Sequence, residues 1–291
     1  MLVQIGLYTL LAVAALALAA LYGRLKARQR APASRSRGSG ESEELLQTMR
    51  RLARPALRIV EGEPSSFSKL GGVPDLPIDL EWPEGDGAPL LFVGQIDLAE
   101  MQKQTALDWL PREGKFYAFY DGQRNGAPDL VLMLFREGSF ALSSQPQQRP
   151  AHPIKERHVA FRAFHSYPSL DWLEIGPGFD DSALAALNQN DAFEDDTRAM
   201  HWLGGYPLEV QGGQLQVQCE FLHRGLTPRR GEPVPDSLRR AAQEWRLLLQ
   251  IDSDPELGMN WADGGCLYIF IRARDARRGD FSKTVTILQS H

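Results

Sequence analysis

Four carboxylates stand within twelve residues in the stretch DSDPELGMNWADGG: Asp252, Asp254, Glu256 and Asp263, with Asn260 among them. Oxygen donors at such spacing are the kind that hold Ca²⁺ or Mg²⁺. The run does not follow the EF-hand order, however. Asp254-Pro255 also reads as a cap with proline at the first helical position, and Asp263-Gly264 as a hairpin turn. No metal ligand set is assigned, and no cofactor is expected. Trp261 beside Asn260 and Asp263 offers a ring face with adjacent polar groups, which suits an organic ligand or a protein partner. Two Gln-Ile-Asp strings, Gln95–Asp97 and Gln250–Asp252, put an amide and a carboxylate near a strand end. There they either bind a ligand or satisfy buried backbone groups. His201 adjoins the turn Leu203-Gly204-Gly205, whose successive amides could form an anion nest. The candidate ligand or partner residues are thus Gln95, Gln250, Asp252, Asn260, Trp261, Asp263 and His201.

The common catalytic signatures are absent. There is no G-x-S-x-G, G-x-G-x-x-G, phosphate-binding Walker loop or H-E-x-x-H. The two cysteines, Cys219 and Cys266, lack the C-x-x-C spacing of a zinc site and are too few for a disulfide framework. They read as free thiols.

The elements that must position these residues are mostly strands. Apolar runs at 90–94, 115–120, 130–135 and 158–164 read as strands, as do 215–221, WRLLLQI, CLYIFI and TVTILQ. Helices are expected over 45–54, ending before Pro55, and over 97–107, 181–188 and 236–245, with Asp97 and Glu100 at capping-box spacing. Strands outnumber helices and seldom alternate with them, which implies α+β with mainly antiparallel sheet.

The order of motifs repeats. SKLGGVP (Ser68–Pro74), LLFVGQIDL and GKFYAFY recur as HWLGGYP (His201–Pro207), WRLLLQIDSD and GGCLYIFI. Three strings in one order imply an internally duplicated two-repeat domain, with repeats at about 65–165 and 198–291 inside a domain spanning 44–291. Two packed halves related by a pseudo-two-fold axis are expected.

These motifs also carry a resemblance. SKLGGVPDLPIDLEWP, PLLFVGQIDLAE, WRLLLQIDSD and MNWADGGCLYIFIRARDARRGDFSK resemble the bacterial YwqG-like family, a group defined by a domain of unknown function, over about 45–291. The resemblance implies a β-rich, internally duplicated α+β domain and no particular reaction. Relatives that accompany bacterial toxin or secretion loci make a protein-binding or immunity-like role the implied one.

Ahead of the domain, Leu2–Tyr22 is apolar apart from Gln4, Gly6 and Thr9, and Arg24, Lys26, Arg28 and Arg30 follow it. This pattern predicts one transmembrane helix (anchor 1–23), then a basic flank and flexible linker over 24–43. The implied location is the bacterial inner membrane, single-pass, with the body cytoplasmic and the membrane contacted through residues 2–22. Residues 41–291 carry 26 basic against 37 acidic side chains, a net of −11. Such a body disfavours nucleic acid and favours a basic protein partner. The function expected is a tethered binding module, immunity-like or envelope-associated in role. The alternatives are a metal-dependent or hydrolytic enzyme using the 252–265 loop, and a small-molecule sensor.

Overall fold

The computed structural model describes residues 39–122, 131–137, 153–169, 199–227 and 233–290. Helix α1 (Ser39–Leu52) leads into β1 (Arg54–Glu61) and β2 (Lys69–Leu70). A small hairpin, β3 (Glu84–Gly85) and β4 (Ala88–Pro89), precedes β5 (Leu91–Asp97). Helix α2 (Leu98–Gln102), β6 (Lys115–Tyr120) and β7 (Val131–Arg136) follow. The chain continues with β8 (Arg157–Ser166), β9 (Trp202–Gly204), α3 (Leu215–His223) and α4 (Asp236–Ala242). It closes with β10 (Trp245–Asp252), β11 (Cys266–Arg272), α5 (Ala273–Ala276), a 3-10 turn (Phe281–Lys283) and β12 (Val285–Gln289).

All strands but the small hairpin join one antiparallel sheet of order β12-β11-β10-β9-β1-β8-β2-β5-β6-β7. The order is matched about its centre, where β1 and β8 pair along eight residues. Each of these strands pairs next with a strand from the other side of the chain, β1 with β9 and β8 with β2. Strands β5 and β10 even share a register shift at equivalent points, between Phe92 and Gly94 and between Leu247 and Leu249.

Burial on both faces explains why β6 and β11 are apolar throughout rather than alternating. On the inner face, Phe116, Ala118, Leu267, Ile269 and Ile271 join one large core with Leu57, Val93 and Leu203. The outer face is covered twice. The excursion between β2 and β5 lays Leu76, Leu80 and Trp82 on Tyr117 and Phe119. Helix α3 lays Leu215 and Cys219 on Trp245, Tyr268 and Phe270. The sheet curls until its edges nearly meet. Phe281, just before β12, packs tilted against Phe135 of β7 at 4.6 Å between ring centroids and stacks on Phe116 at 6.1 Å. The seam is thus closed by aromatic rings and the barrel-like sheet is nearly complete.

The halves share one continuous sheet and exchange their first strands. Two expectations are corrected. Leu215–Phe221, expected as a strand, is helical. Its buried residues are Leu215, Gln216, Cys219 and Glu220, a helical face, and the apolar alternation that suggested a strand is incidental. The expected transmembrane helix, with the inner-membrane location drawn from it, is overturned as a feature of the fold. Among the described residues no helix is long and apolar enough to cross a membrane, and residues 2–22 lie outside the described part. The helix expected over 181–188 also lies outside it, whereas α1 begins at Ser39, inside the stretch expected as linker.

Candidate functional site

The Leu-Gly-Gly-x-Pro turns follow β2 and β9. Gly71, Gly72, Gly204 and Gly205 all have φ between 61° and 74°, which only glycine adopts freely. A side chain at Gly205 would also meet Ser166 Oγ at 2.1 Å. Gln95 and Gln250 are buried behind these turns and bond to their backbone rather than to open space.

Beyond Gln250, the 252–265 loop is tied down by its own polar atoms. Asp252 Oδ2 accepts from the Met200 N–H at 3.1 Å, and its Oδ1 from Ser253 N–H at 2.9 Å. Ser253 Oγ donates to Gly265 O at 2.8 Å and accepts from Trp261 N–H at 3.0 Å. Trp261 is buried; its indole N–H donates to Asp252 O at 3.0 Å and its ring packs 4.9 Å from Tyr120. Asn260 Oδ1 accepts from Gly264 N–H at 3.2 Å, and Asp263 is exposed.

His201 and Asp254 form a buried polar centre under the loop. His201 Nδ1 accepts from the Asp252 N–H at 3.1 Å, which leaves Nε2 as the protonated nitrogen facing Asp254 Oδ2 at 3.5 Å. Asp254 Oδ2 also accepts from Arg157 Nη1 at 2.9 Å, while Oδ1 accepts the N–H groups of Glu256 and Leu257. Burial alone would raise the Asp254 pKa. The His201 hydrogen bond and the Arg157 charge outweigh it and hold the carboxyl at about 2.

The structure therefore brings Gln250, Asp252, His201 and Trp261 together, each engaged in holding backbone. Gln95 sits at the matched point of the other strand set, and Asn260 and Asp263 stand on the loop surface. The 252–265 carboxylates do not converge. Among the described residues no three His, Cys, Asp or Glu side chains are grouped to hold a metal ion. Both cysteines are buried, and burial pushes their thiols well above the usual range, away from nucleophilic chemistry.

Two groups of residues that sequence reasoning passed over are more open to a ligand or partner. One is the excursion between β2 and β5. Its inner side covers the sheet. Its outer side exposes Ile78, at 74% the most exposed large apolar side chain among the described residues, and the carboxylates Asp79, Glu81, Glu84 and Asp86. The other is a cleft of about 170 Å³ where the start of β1 meets α3, α4 and the start of β10. Arg54, Gln214, Gln216, Arg239, Gln243 and Trp245 line it. The five polar members are scattered over 190 residues of chain, so no local motif could have signalled them. No curated protein matches the chain. Residues 68–290 match the family model described as "Domain of unknown function (DUF1963)", and the chain belongs to that family.

Proposed function

We propose that this protein is a non-catalytic binding module that takes a basic protein segment on its acidic excursion. The observation that carries this reading is Ile78, held out to solvent between carboxylates. There is no Lys or Arg between Lys69 and Lys103, whereas that stretch holds seven Asp and Glu residues. An exposed apolar side chain in a stretch that carries one sign of charge suits a partner with an apolar anchor flanked by Lys or Arg. The apolar underside of the excursion, Leu76, Leu80 and Trp82, fixes it on the sheet, so the outer face is presented on a rigid support. Apart from the exposed Asp263, the carboxylates of the 252–265 loop are engaged by backbone N–H groups, His201 and Arg157, which favours a binding role over an enzymatic use of that loop. Through its motifs the chain resembles the YwqG-like branch, and an immunity-like role, the seating of a basic partner, is the one that fits.

The test uses the full-length protein and two labelled peptides of equal length, each with a central leucine, one flanked by lysines and the other by glutamates. The lysine peptide should bind, and binding should weaken as salt rises from about 50 to about 300 mM. Ile78→Ser should weaken it by about tenfold, as should Glu81→Lys with Asp79→Lys. Equal binding of both peptides, or binding that ignores Ile78→Ser, would sink the reading.

A further inference from the structure

The excursion between β2 and β5 has a counterpart in the other half of the sheet. Helix α3 leaves between β9 and β10, and each of the two covers the outer face of its own half. Their exposed sides differ in charge. The excursion shows Ile78 among Asp79, Glu81, Glu84 and Asp86. The end of α3 shows Leu222 and Leu226, 37% and 45% exposed, on either side of the exposed Arg224.

Arginines of α5 extend this second surface. Arg224 Nε and Arg272 Nη2 donate to the two oxygens of the buried Glu220 carboxylate, which holds the end of α3 beside the start of α5. Burial first, and then the nearby charges of Arg272 and Arg274, lower the His223 pKa, so Arg274 stands close to the same helix end. Arg274, Arg277 and Arg278 are all exposed, whereas Asp275 among them is buried and lies 3.8 Å from Lys283. Against these arginines stands the exposed Glu244, whose C=O accepts from the Ala273 N–H at 2.9 Å. The patch thus keeps a net positive charge on a body that carries −11 over residues 41–291.

Both surfaces are fixed to the sheet. Leu76, Leu80 and Trp82 hold the excursion, and Leu215 and Cys219 hold α3. Ile78, Leu222 and Leu226 are exposed within a single copy, so the two surfaces do not cover each other there.

From this match we propose that the partner of the acidic excursion is a second copy of this chain. Leu222 and Leu226 of one copy seat against Ile78 of the next, and Arg224 and the α5 arginines face the carboxylates of its excursion. Self-association of this kind rests on the excursion being a seat for a basic partner, as proposed above, and supplies that partner. Burial of the apolar side chains gives the attraction, while the opposite charges steer encounter and fix register. The contact joins two different surfaces, so each copy in a pair keeps one surface free for a further copy. A patch of this size lies at the small end of specific interfaces, so association needs concentrations of about 10–100 µM.

The experiment is sedimentation velocity on the full-length protein from about 5 to about 500 µM. The wild-type sedimentation coefficient should rise with concentration, and the rise should shrink as salt goes from about 50 to about 300 mM. Ile78→Ser and Leu226→Ser should each raise the dissociation constant at least about tenfold, as should Arg274→Glu with Arg277→Glu at two exposed positions. Ile78→Ser keeps the basic patch that Leu226→Ser lacks, and Leu226→Ser keeps the excursion. An equimolar mixture of these two variants should therefore form pairs with the wild-type affinity and grow no further. Wild-type protein that stays monomeric, association that the variants leave unchanged, or variants that fail to complement each other would overturn the proposal. The lysine-flanked peptide separates the two readings. A monomeric wild-type protein that binds it overturns self-association alone, and one that does not bind it overturns the basic-partner reading as well.

Discussion

Gln95 and Gln250 hold the same kind of turn at matched points of one sheet. Gln95 Oε1 accepts from the Asp75 N–H at 2.8 Å, and Gln250 Oε1 from the Leu208 N–H at 2.9 Å. Their amide nitrogens donate to Phe67 O and Met200 O, the carbonyls just before the two strands that lead into the turns. The tyrosine opposite each glutamine completes the clamp: Tyr117 donates to Asp75 O at 2.9 Å and Tyr268 to Leu208 O at 2.6 Å. The residue after each Gly-Gly-x-Pro thus has both its N–H and its C=O bonded by side chains from the neighbouring strands.

Replacing either glutamine by leucine should therefore destabilise the domain, by about 2–3 kcal/mol, because it strands two backbone groups. Gln95→Leu should cost more, since that amide also donates to Asp75 Oδ2 at 2.7 Å. Tyr117→Phe and Tyr268→Phe should each cost about 1 kcal/mol. Urea unfolding midpoints at constant m-value measure these losses. A loss below about 0.5 kcal/mol for both glutamine variants would show that water replaces the clamp.

Acid stability should depend on Asp254. Its carboxyl is held at about 2 in the folded chain against an ordinary 3.8, so its contribution is complete above the ordinary value and disappears as pH falls through the folded one. Asp254→Asn should cost about 2 kcal/mol near neutral pH and progressively less between about pH 4 and pH 2. Stability curves of the two proteins that stay parallel through this range would refute the assignment.

Glu220 is fully buried and accepts from Trp245, Arg224 and Arg272. Burial would raise its pKa, but the three donors outweigh it and lower it. Removing this carboxylate leaves the buried Arg272 guanidinium unbalanced. Glu220→Ala should cost about 3–5 kcal/mol. Glu220→Gln, which keeps an acceptor for Trp245, should cost less, and equal losses in thermal unfolding would argue that packing alone is at stake.

The seam of the sheet rests on Phe281. Truncating it to alanine removes its contacts with Phe135 and Phe116 and should cost about 3–5 kcal/mol. Amide exchange should speed up first in β7 and β12, the two edges, rather than in the central β1–β8 pair. Uniform acceleration across the sheet would count against the seam.

The surface of the 252–265 loop should tolerate change. Asp263→Ala is expected to shift stability by less than about 0.5 kcal/mol, because the side chain is exposed. Ala262→Gly should stabilise the loop by about 1 kcal/mol, since Ala262 has φ 55°, a conformation that suits glycine. A large destabilisation from Asp263→Ala would show that the side chain is needed to hold the turn.

Much of the local structure was legible in the chain. Lys115–Tyr120, Trp245–Asp252 and Cys266–Arg272 announce buried strands because their apolar runs are too short for helices and rich in aromatic and branched residues. Asp97 was legible as a cap, and its Oδ1 does accept from Ala99 and Glu100 N–H. Its expected partner was not. Glu100 turns away to bond Phe67, Ser68 and Ser66, which no spacing rule reveals. Strand β1 was hidden behind Pro55, and it became a central strand only through its partners β8 and β9.

The sequence by itself determined what lies within a few residues: where turns must have glycine, which runs are buried, and how the motifs repeat in order. Those features follow from backbone sterics and side-chain periodicity, which act locally. Only the tertiary structure decided that β1 and β8 exchange partners, that Phe281 closes the seam, and that His201 and Trp261 hold backbone. It also brought Arg54, Gln216 and Arg239 around one cleft. These outcomes depend on burial and on hydrogen-bond satisfaction between segments far apart in the chain, and such long-range pairing leaves no trace in the spacing of residues along it.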